Sequence, residues 1–447
     1  MKKVIESGIY LLIFLLPWQT RWIIEAGKIK GGASEYLTYS LYGVDLLLIG
    51  LFFLALLYFH KSFFLEAKPP TGGLASKKTS IYPFMEVKLL GVFLLVTLVS
   101  VCLAENKNLA LLAETRIFLA LILAWLILNF TQLKKLAIWF LASLWLPTLL
   151  ALGQFFSQAT FANKWLGLAR HEAGLGGSAV IETFLNGAVS GRWLRAYGSF
   201  DHPNILGATL AIGLLVVLAL SLSLKKVARP DYLKLFLLAS LVLFSAGLFV
   251  SFSRSAWLGL ALGLIFMSAT LFFQKKFADL KKLSLGAVII GVVFLMLTVS
   301  YGKLISVRVE GGTRLENLST DQRAIYWKQA ETLISQKPII GVGIGNYIPT
   351  LIKIEPNEPA WEYQPVHNVL LLIWAELGIF GLLTFLSLLL VWFWKYGRKY
   401  ELVGALLIAL LPMLLLDHWL WSFHYGVLFF ALVIVLATGF SGEKKVK

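Results

Sequence analysis

Charge is scarce in this chain. Only 14% of its 447 residues are Asp, Glu, Lys or Arg, whereas 58% are hydrophobic and the mean hydropathy is +0.79. That balance excludes a soluble globular domain and makes a lipid bilayer the solvent for most of the chain. Cysteine is nearly absent. The single Cys102 lies inside an apolar run, which excludes a disulfide framework and a cysteine-based metal site. The polar/apolar alternation of a membrane-spanning barrel is missing, so α-helices are left as the spanning elements. No internal repeat with a period of about 20–50 residues is visible. The halves differ in loop placement, which argues against the two-fold repeats of many transporters. Met1-Lys2-Lys3 ahead of an apolar stretch mimics a secretory signal, but no small-residue cleavage site follows, so a retained first helix is expected.

What is present is a succession of apolar runs. Twelve spans are expected, at 8–24, 42–60, 84–104, 111–130, 136–157, 203–223, 235–252, 255–273, 284–302, 367–394, 402–416 and 418–438. The predicted fold class is an all-α polytopic membrane protein, a single integral membrane domain over residues 1–447. An even number of spans puts both termini on one side. With that topology the whole net charge of +16 falls on the side of the termini, in clusters such as Lys134-Lys135, Lys225-Lys226, Lys275-Lys276, Lys281-Lys282 and Lys444-Lys445, and the opposite side is neutral. This is the positive-inside pattern, so both termini are expected in the cytoplasm. The basic excess is thereby a topology signal, and a nucleic-acid partner is not expected.

The longest cytoplasmic connection, 61–83, contains Pro69-Pro70-Thr71-Gly72-Gly73 and reads as a flexible linker. On the outer side two long segments stand out: 158–202, and 303–366 between the ninth and tenth spans. Irregular backbone meeting a helical bundle is where membrane enzymes place their chemistry. Within the second segment an amphipathic helix is expected over 320–336, with Ser319 and Gln322 forming a capping box and Pro338 ending it. Arg323, Trp327, Ala330 and Ile334 would then share one face, apolar except for the arginine. An arginine there needs an anion, supplied by a nearby glutamate or by a ligand. Gly341-Val342-Gly343-Ile344-Gly345 follows a helix rather than a strand, so it reads as a tight turn and not as a dinucleotide fingerprint.

Polar groups at the span mouths are the remaining candidates for chemistry. His367-Asn368 opens the tenth span, and a neutral imidazole there can take a proton at ambient pH. Arg254, in Ser251-Phe252-Ser253-Arg254-Ser255-Ala256-Trp257, sits at the first turn of the eighth span; it either snorkels to lipid phosphate or helps hold a diphosphate, whose oxygens match a guanidinium fork. Arg195 precedes the stretch 196–207, where Asp201 is a plausible helix cap and Pro203 suits a first turn. His171, His202, His418 and His424 are too dispersed in sequence to indicate a metal site. Glu376 lies nine residues after His367 and points to the opposite helix face, so it reads as structural.

Together these elements resemble the O-antigen ligase / O-antigen polymerase superfamily of bacterial envelope glycan enzymes. The matching pieces are Arg195 with Gly198-Ser199-Phe200-Asp201-His202-Pro203-Asn204, then Ser253-Arg254-Ser255-Ala256-Trp257, then Arg323-Ala324-Ile325-Tyr326-Trp327. The stretch 338–346 and the run from His367 through Glu376 and Gly378 to Gly381 complete the ordered set. The resemblance implies a GT-C-like helical fold and transfer of a glycan from an undecaprenyl-diphosphate carrier to a hydroxyl acceptor. The site would lie on the periplasmic or extracellular face of the cytoplasmic membrane, with no metal and no cofactor. It also implies Arg254, Arg323 and Arg195 as diphosphate-binding groups and His367 as the base, with Asn368, His202, Asn204 and Tyr326 in support. Ligases and polymerases share these pieces; ligase is the expectation, with a repeat-unit polymerase or a polytopic transporter or lipid flippase as alternatives.

Overall fold

The computed structural model describes residues 1–65, 84–185, 188–224, 232–311 and 313–439. Most of the 61–83 linker and the clusters Lys225-Lys226 and Lys444-Lys445 lie outside the described residues. The helices, in chain order, are α1 (Lys2–Leu15), α2 (Gly43–Leu65), α3 (Phe84–Leu103), α4 (Lys107–Phe130), α5 (Leu133–Ser143), α6 (Trp145–Ser157), α7 (Pro203–Ser223), α8 (Tyr232–Ser251), α9 (Arg254–Phe273), α10 (Phe277–Glu310), α11 (Arg314–Gln336), α12 (Tyr347–Ile354), α13 (Val369–Trp392), α14 (Glu401–Leu416), α15 (Trp419–Ser422) and α16 (His424–Gly439). The protein is a helical, polytopic membrane protein. Among the described residues nine helical stretches are long and apolar enough to cross a bilayer, and two more apolar helices, Glu401–Leu416 and His424–Ala437, are shorter. The expected first span is also cut short. α1 ends at Leu15, ahead of Pro17, and Arg21–Glu25 is already a strand; proline lacks the N–H that a continuing helix needs.

Two features depart from the architecture expected from sequence. Short antiparallel ladders fill the segments between spans: β1 (Arg21–Glu25) pairs with β4 (Tyr39–Tyr42), β2 (Lys28–Ile29) with β3 (Gly32–Ala33), and β5 (Val180–Leu185) with β6 (Ala188–Leu194). The segment 303–366 is largely helical rather than a loop. α10 continues through a kink at Tyr301 to Glu310, and α11 begins at Arg314 with Thr313 as its cap residue. Ser319 therefore lies inside α11, not at a capping box. The buried face of α11 runs through Tyr326, Ala330, Leu333 and Ile334, while Trp327 turns outward and donates its indole N–H to Glu331 at 2.8 Å.

The core is organised around α7, buried along nearly its whole length from Ile205 to Leu220 and packed against α8, α9 and α14. The turn at 341–345 returns the chain to the bundle, and it does so at a break in α13. Gly378 has φ +71° there, and the opened backbone is satisfied by the turn: Val342 N–H donates to Ala375 O at 2.8 Å, Gly343 N–H to Glu376 O at 2.9 Å, and Ile379 N–H to Pro338 O at 3.0 Å. A side chain at Gly378 would place its Cβ 2.0 Å from the Ile339 carbonyl oxygen. Glu376, just before the break, accepts the indole N–H of Trp421 at 2.8 Å. Gly378→Ala should therefore lower stability by at least about 1–3 kcal/mol, from strain at positive φ alone. The comparison is Gly291→Ala, where the added methyl meets open space. Thermal melting of the purified full chain checks this, and equal melting of the two variants would refute the docking.

Candidate active site

Six helix ends converge at one end of the bundle: the starts of α7, α9 and α13 and the ends of α8, α10 and α14. Between them lies a cavity of about 260 Å³, roofed by the β5 edge (Ala179, Val180) and the first turns of α11. It gathers Arg195, Arg254, Arg308, Arg323, His202, Asn204, Tyr326 and His367 along its wall. All but one of the residues named from sequence are thus brought together. The exception is Asn368, which caps α13 by accepting the Leu370 and Leu371 N–H groups at 2.9 and 3.0 Å.

The short junction between α8 and α9 positions the cations. Arg195 Nε donates to the Ser251 carbonyl at 2.9 Å, and its Nη2 donates to Asn204 Oδ1 at 2.7 Å. Arg308 donates Nε and Nη2 to the carbonyl of Phe252 at 3.3 and 3.0 Å. Phe252 is fully buried and adopts φ +49°, a strained conformation for a bulky residue, which is compatible with a role in aiming that carbonyl. Both carbonyls sit at the C-terminal end of α8, where the orphan acceptors and the helix dipole favour cations. Arg254 opens α9; its Nη1 donates to Arg308 O at 3.1 Å and its Nη2 lies 2.9 Å from Glu316 Oε2. Arg323 differs from the other three. It lines the cavity and makes no hydrogen bond or ion pair among the described residues. The glutamate partner that its face suggested is absent there.

The proton-handling groups sit opposite. His367 stacks on Tyr326, with ring centroids 5.5 Å apart and planes 8° from parallel, and meets His418 edge-on at 4.9 Å. Its Nδ1 is buried without a hydrogen-bond partner among the described residues. Asp417, in the break between α14 and α15, accepts the Asn204 amide at 2.9 Å and the His418 backbone N–H at 2.8 Å. His418 Nδ1 lies 2.7 Å from Ser422 Oγ. His202, rather than Asp201, caps α7: its Nδ1 accepts the Asn204 N–H at 3.1 Å. His171 and His424 lie elsewhere, stacked on Tyr197 and paired with Asp45 at 2.6 Å. Burial lowers the His367 imidazole below its ordinary value, with Arg323 acting in the same direction and Asp417 opposing. Burial, reinforced by Arg195 for His202 and by His367 for His418, brings those two down to about 3.

Sequence dispersion had argued against a metal site, yet the fold brings donor atoms of His367, Asp417 and His418 within 4.8 Å of one another. Two imidazoles and one carboxylate are a donor set able to hold a divalent cation. They are equally a general base with an orienting acid. Asp417, His418, Arg308 and Glu316 are the functional candidates that sequence reasoning missed. For the first two a signal existed, since an Asp-His pair interrupts an otherwise apolar stretch and ionisable groups in such stretches mark function.

Residues 239–386 match a family model described as O-antigen ligase. This third of the chain is similar to the O-antigen ligase superfamily. The match indicates an O-antigen ligase- or polymerase-type function, and no curated protein matches the chain. Arg254, Arg308, Glu316, Arg323 and His367 lie inside the matched residues; Arg195, His202 and Asn204 line the cavity from outside them, with Asp417 and His418 beside it against Asn204 and His367.

A depressed imidazole pKa keeps His367 unprotonated, and so competent as a base, to lower pH than a free histidine. The acid limb of kcat/KM for glycan transfer should therefore have its midpoint below the ordinary value of about 6.5. A midpoint above that value would show the imidazole stabilised as a cation, contrary to its burial.

Proposed function

We propose that this protein is a glycosyltransferase of ligase type. It moves a glycan from an undecaprenyl-diphosphate carrier to a hydroxyl acceptor at the outer face of the cytoplasmic membrane, without a metal. The observation that carries this reading is the cavity itself, where an Arg323 without a partner among the described residues and three further guanidinium groups share a wall with a half-buried His367. The one-sided distribution of basic residues supports the outer placement and cytoplasmic termini.

The chemistry follows from the donor. Its sugar–diphosphate bond is already activated, so the protein has two tasks: to stabilise charge on the leaving diphosphate and to deprotonate the incoming hydroxyl. His367 takes the hydroxyl proton as the acceptor oxygen bonds to the anomeric carbon. The bond from that carbon to the phosphate oxygen breaks, and its electron pair leaves with undecaprenyl diphosphate. Arg323 and Arg254 hold the developing charge, with Arg308 behind them, by charge-assisted hydrogen bonds in a fixed frame. Asp417 orients the histidine cluster from beneath, held by the line Arg195–Asn204–Asp417. Direct displacement inverts the anomeric centre.

His367→Ala should reduce transfer by about 10²–10⁴-fold, the usual worth of a positioned base, and Arg323→Ala by about 10²-fold or more, with both variants folded. Transfer measured with purified protein, lipid-diphosphate glycan and acceptor decides this, and full activity in both variants would refute the assignment. Protein treated with a chelator should retain full transfer. A loss restored by a divalent cation would instead make His367, Asp417 and His418 metal ligands.

A further inference from the structure

Glu316 is at odds with the rest of the cavity. It is the single carboxylate among the lining residues, buried to 9% exposure, and it is spent on the same guanidinium groups that would bind an anionic ligand. One oxygen accepts from Arg308 Nη1; the other lies 2.9 Å from Arg254 Nη2 and has no well-formed hydrogen bond. The carboxylate thus bridges two arginines, as one phosphate of a diphosphate would. Glu316 belongs to the first turn of α11, whose Arg314 donates to Glu182 Oε1 on β5 at 2.7 Å. The same helical turn therefore ties the cavity's arginines to its roof.

From this we infer that Glu316 is a tethered counter-anion: it occupies the Arg254–Arg308 pair in the unliganded protein, yields that pair to the donor's diphosphate, and reclaims it to expel the lipid diphosphate after transfer. The inference rests on the diphosphate reading of the cavity. Its logic is electrostatic. Four guanidinium groups around one diphosphate would bind the product strongly, because the released lipid diphosphate has gained an ionisable oxygen that the glycosylated donor lacks. A fixed carboxylate competing for two of the four weakens donor and product alike, and the gain appears in the rate of release. Without Glu316 the unliganded cavity would also hold Arg254 and Arg308 side by side without a counter-charge, which is costly for Arg308, whose side chain is only 12% exposed. A ligand that must first displace a carboxylate binds more weakly by that displacement; a competitor-free site binds it more tightly.

The test uses the purified full chain in detergent and inorganic pyrophosphate as the probe. Glu316→Gln keeps the shape and removes the charge. It should bind pyrophosphate about 10-fold more tightly than the parent protein, show stronger product inhibition, and lower both KM for the donor and kcat. Glu316→Asp, which keeps the charge on a shorter arm, should fall between the two; it serves as the readout should the Gln variant not fold. Arg254→Ala provides the reference. If Arg254→Ala weakens pyrophosphate binding but neither Glu316 variant strengthens it, the counter-anion role is overturned and the diphosphate site stands. If pyrophosphate binding is indifferent to Arg254 as well, the diphosphate reading falls and the inference with it.

Discussion

Two backbone carbonyls at the end of α8 hold the cavity together. Ser251 and Phe252 present their oxygens to Arg195 and Arg308, and in doing so they fix two guanidinium groups that arrive from distant parts of the chain, one after β6 and one at the end of α10. A buried cation without a partner would be costly. Here the orphan acceptors of a helix terminus give each arginine a partner that carries no full negative charge. The cavity therefore keeps its positive potential, which a carboxylate partner for each arginine would have cancelled. The strain at Phe252 is of order 1–3 kcal/mol for a residue at positive φ, a small cost beside the attraction of several guanidinium groups for a diphosphate. One such pair at about 4 Å contributes about 4 kcal/mol at an effective dielectric constant of about 20.

From that frame the remaining roles divide by how tightly each group is held. Arg195 is buried and doubly engaged, and its link through Asn204 to Asp417 makes it a beam between the cationic wall and the histidine cluster. Arg308 is engaged by Phe252 and Glu316. Arg254 is shared between the Arg308 carbonyl and Glu316. Arg323 alone keeps its donors open to a ligand. The gradient from locked to open suits the proposed transfer, in which the site takes up an anionic donor, stabilises charge for one step and releases the diphosphate. The stacked Tyr326 and the edge-on His418 limit His367 in a comparable way, fixing the ring while leaving Nδ1 uncommitted.

Much of the helical architecture was legible in the sequence because membrane proteins announce their spans by hydropathy. The residues at span mouths were legible too: Arg254, His367, Arg195 and Asn204 stand out as polar groups where a helix begins or ends, and the fold brings them to one cavity. What failed was local. Periodicity placed Trp327 on the face of Arg323, but the helix packs through Tyr326 and Ala330, because packing and not spacing decides which flank of a weakly amphipathic helix is buried. Asp201 looked like a cap, yet His202 does that work one residue later. Glu316 and Arg308 carry no sequence signal, since their meaning lies in a pairing across a helix break. Asp417 and His418 were readable only as a polar interruption, and dispersion along the chain proved a poor guide to distance in the bundle.

The most direct test of the central claim is an experimental structure of the full chain bound to a non-transferable lipid-diphosphate glycan. Both phosphates are predicted inside the cavity, within hydrogen-bond reach of Arg323 and Arg254, with the anomeric carbon turned toward His367. A diphosphate seated elsewhere, or an anomeric carbon facing away from that imidazole, would contradict the account.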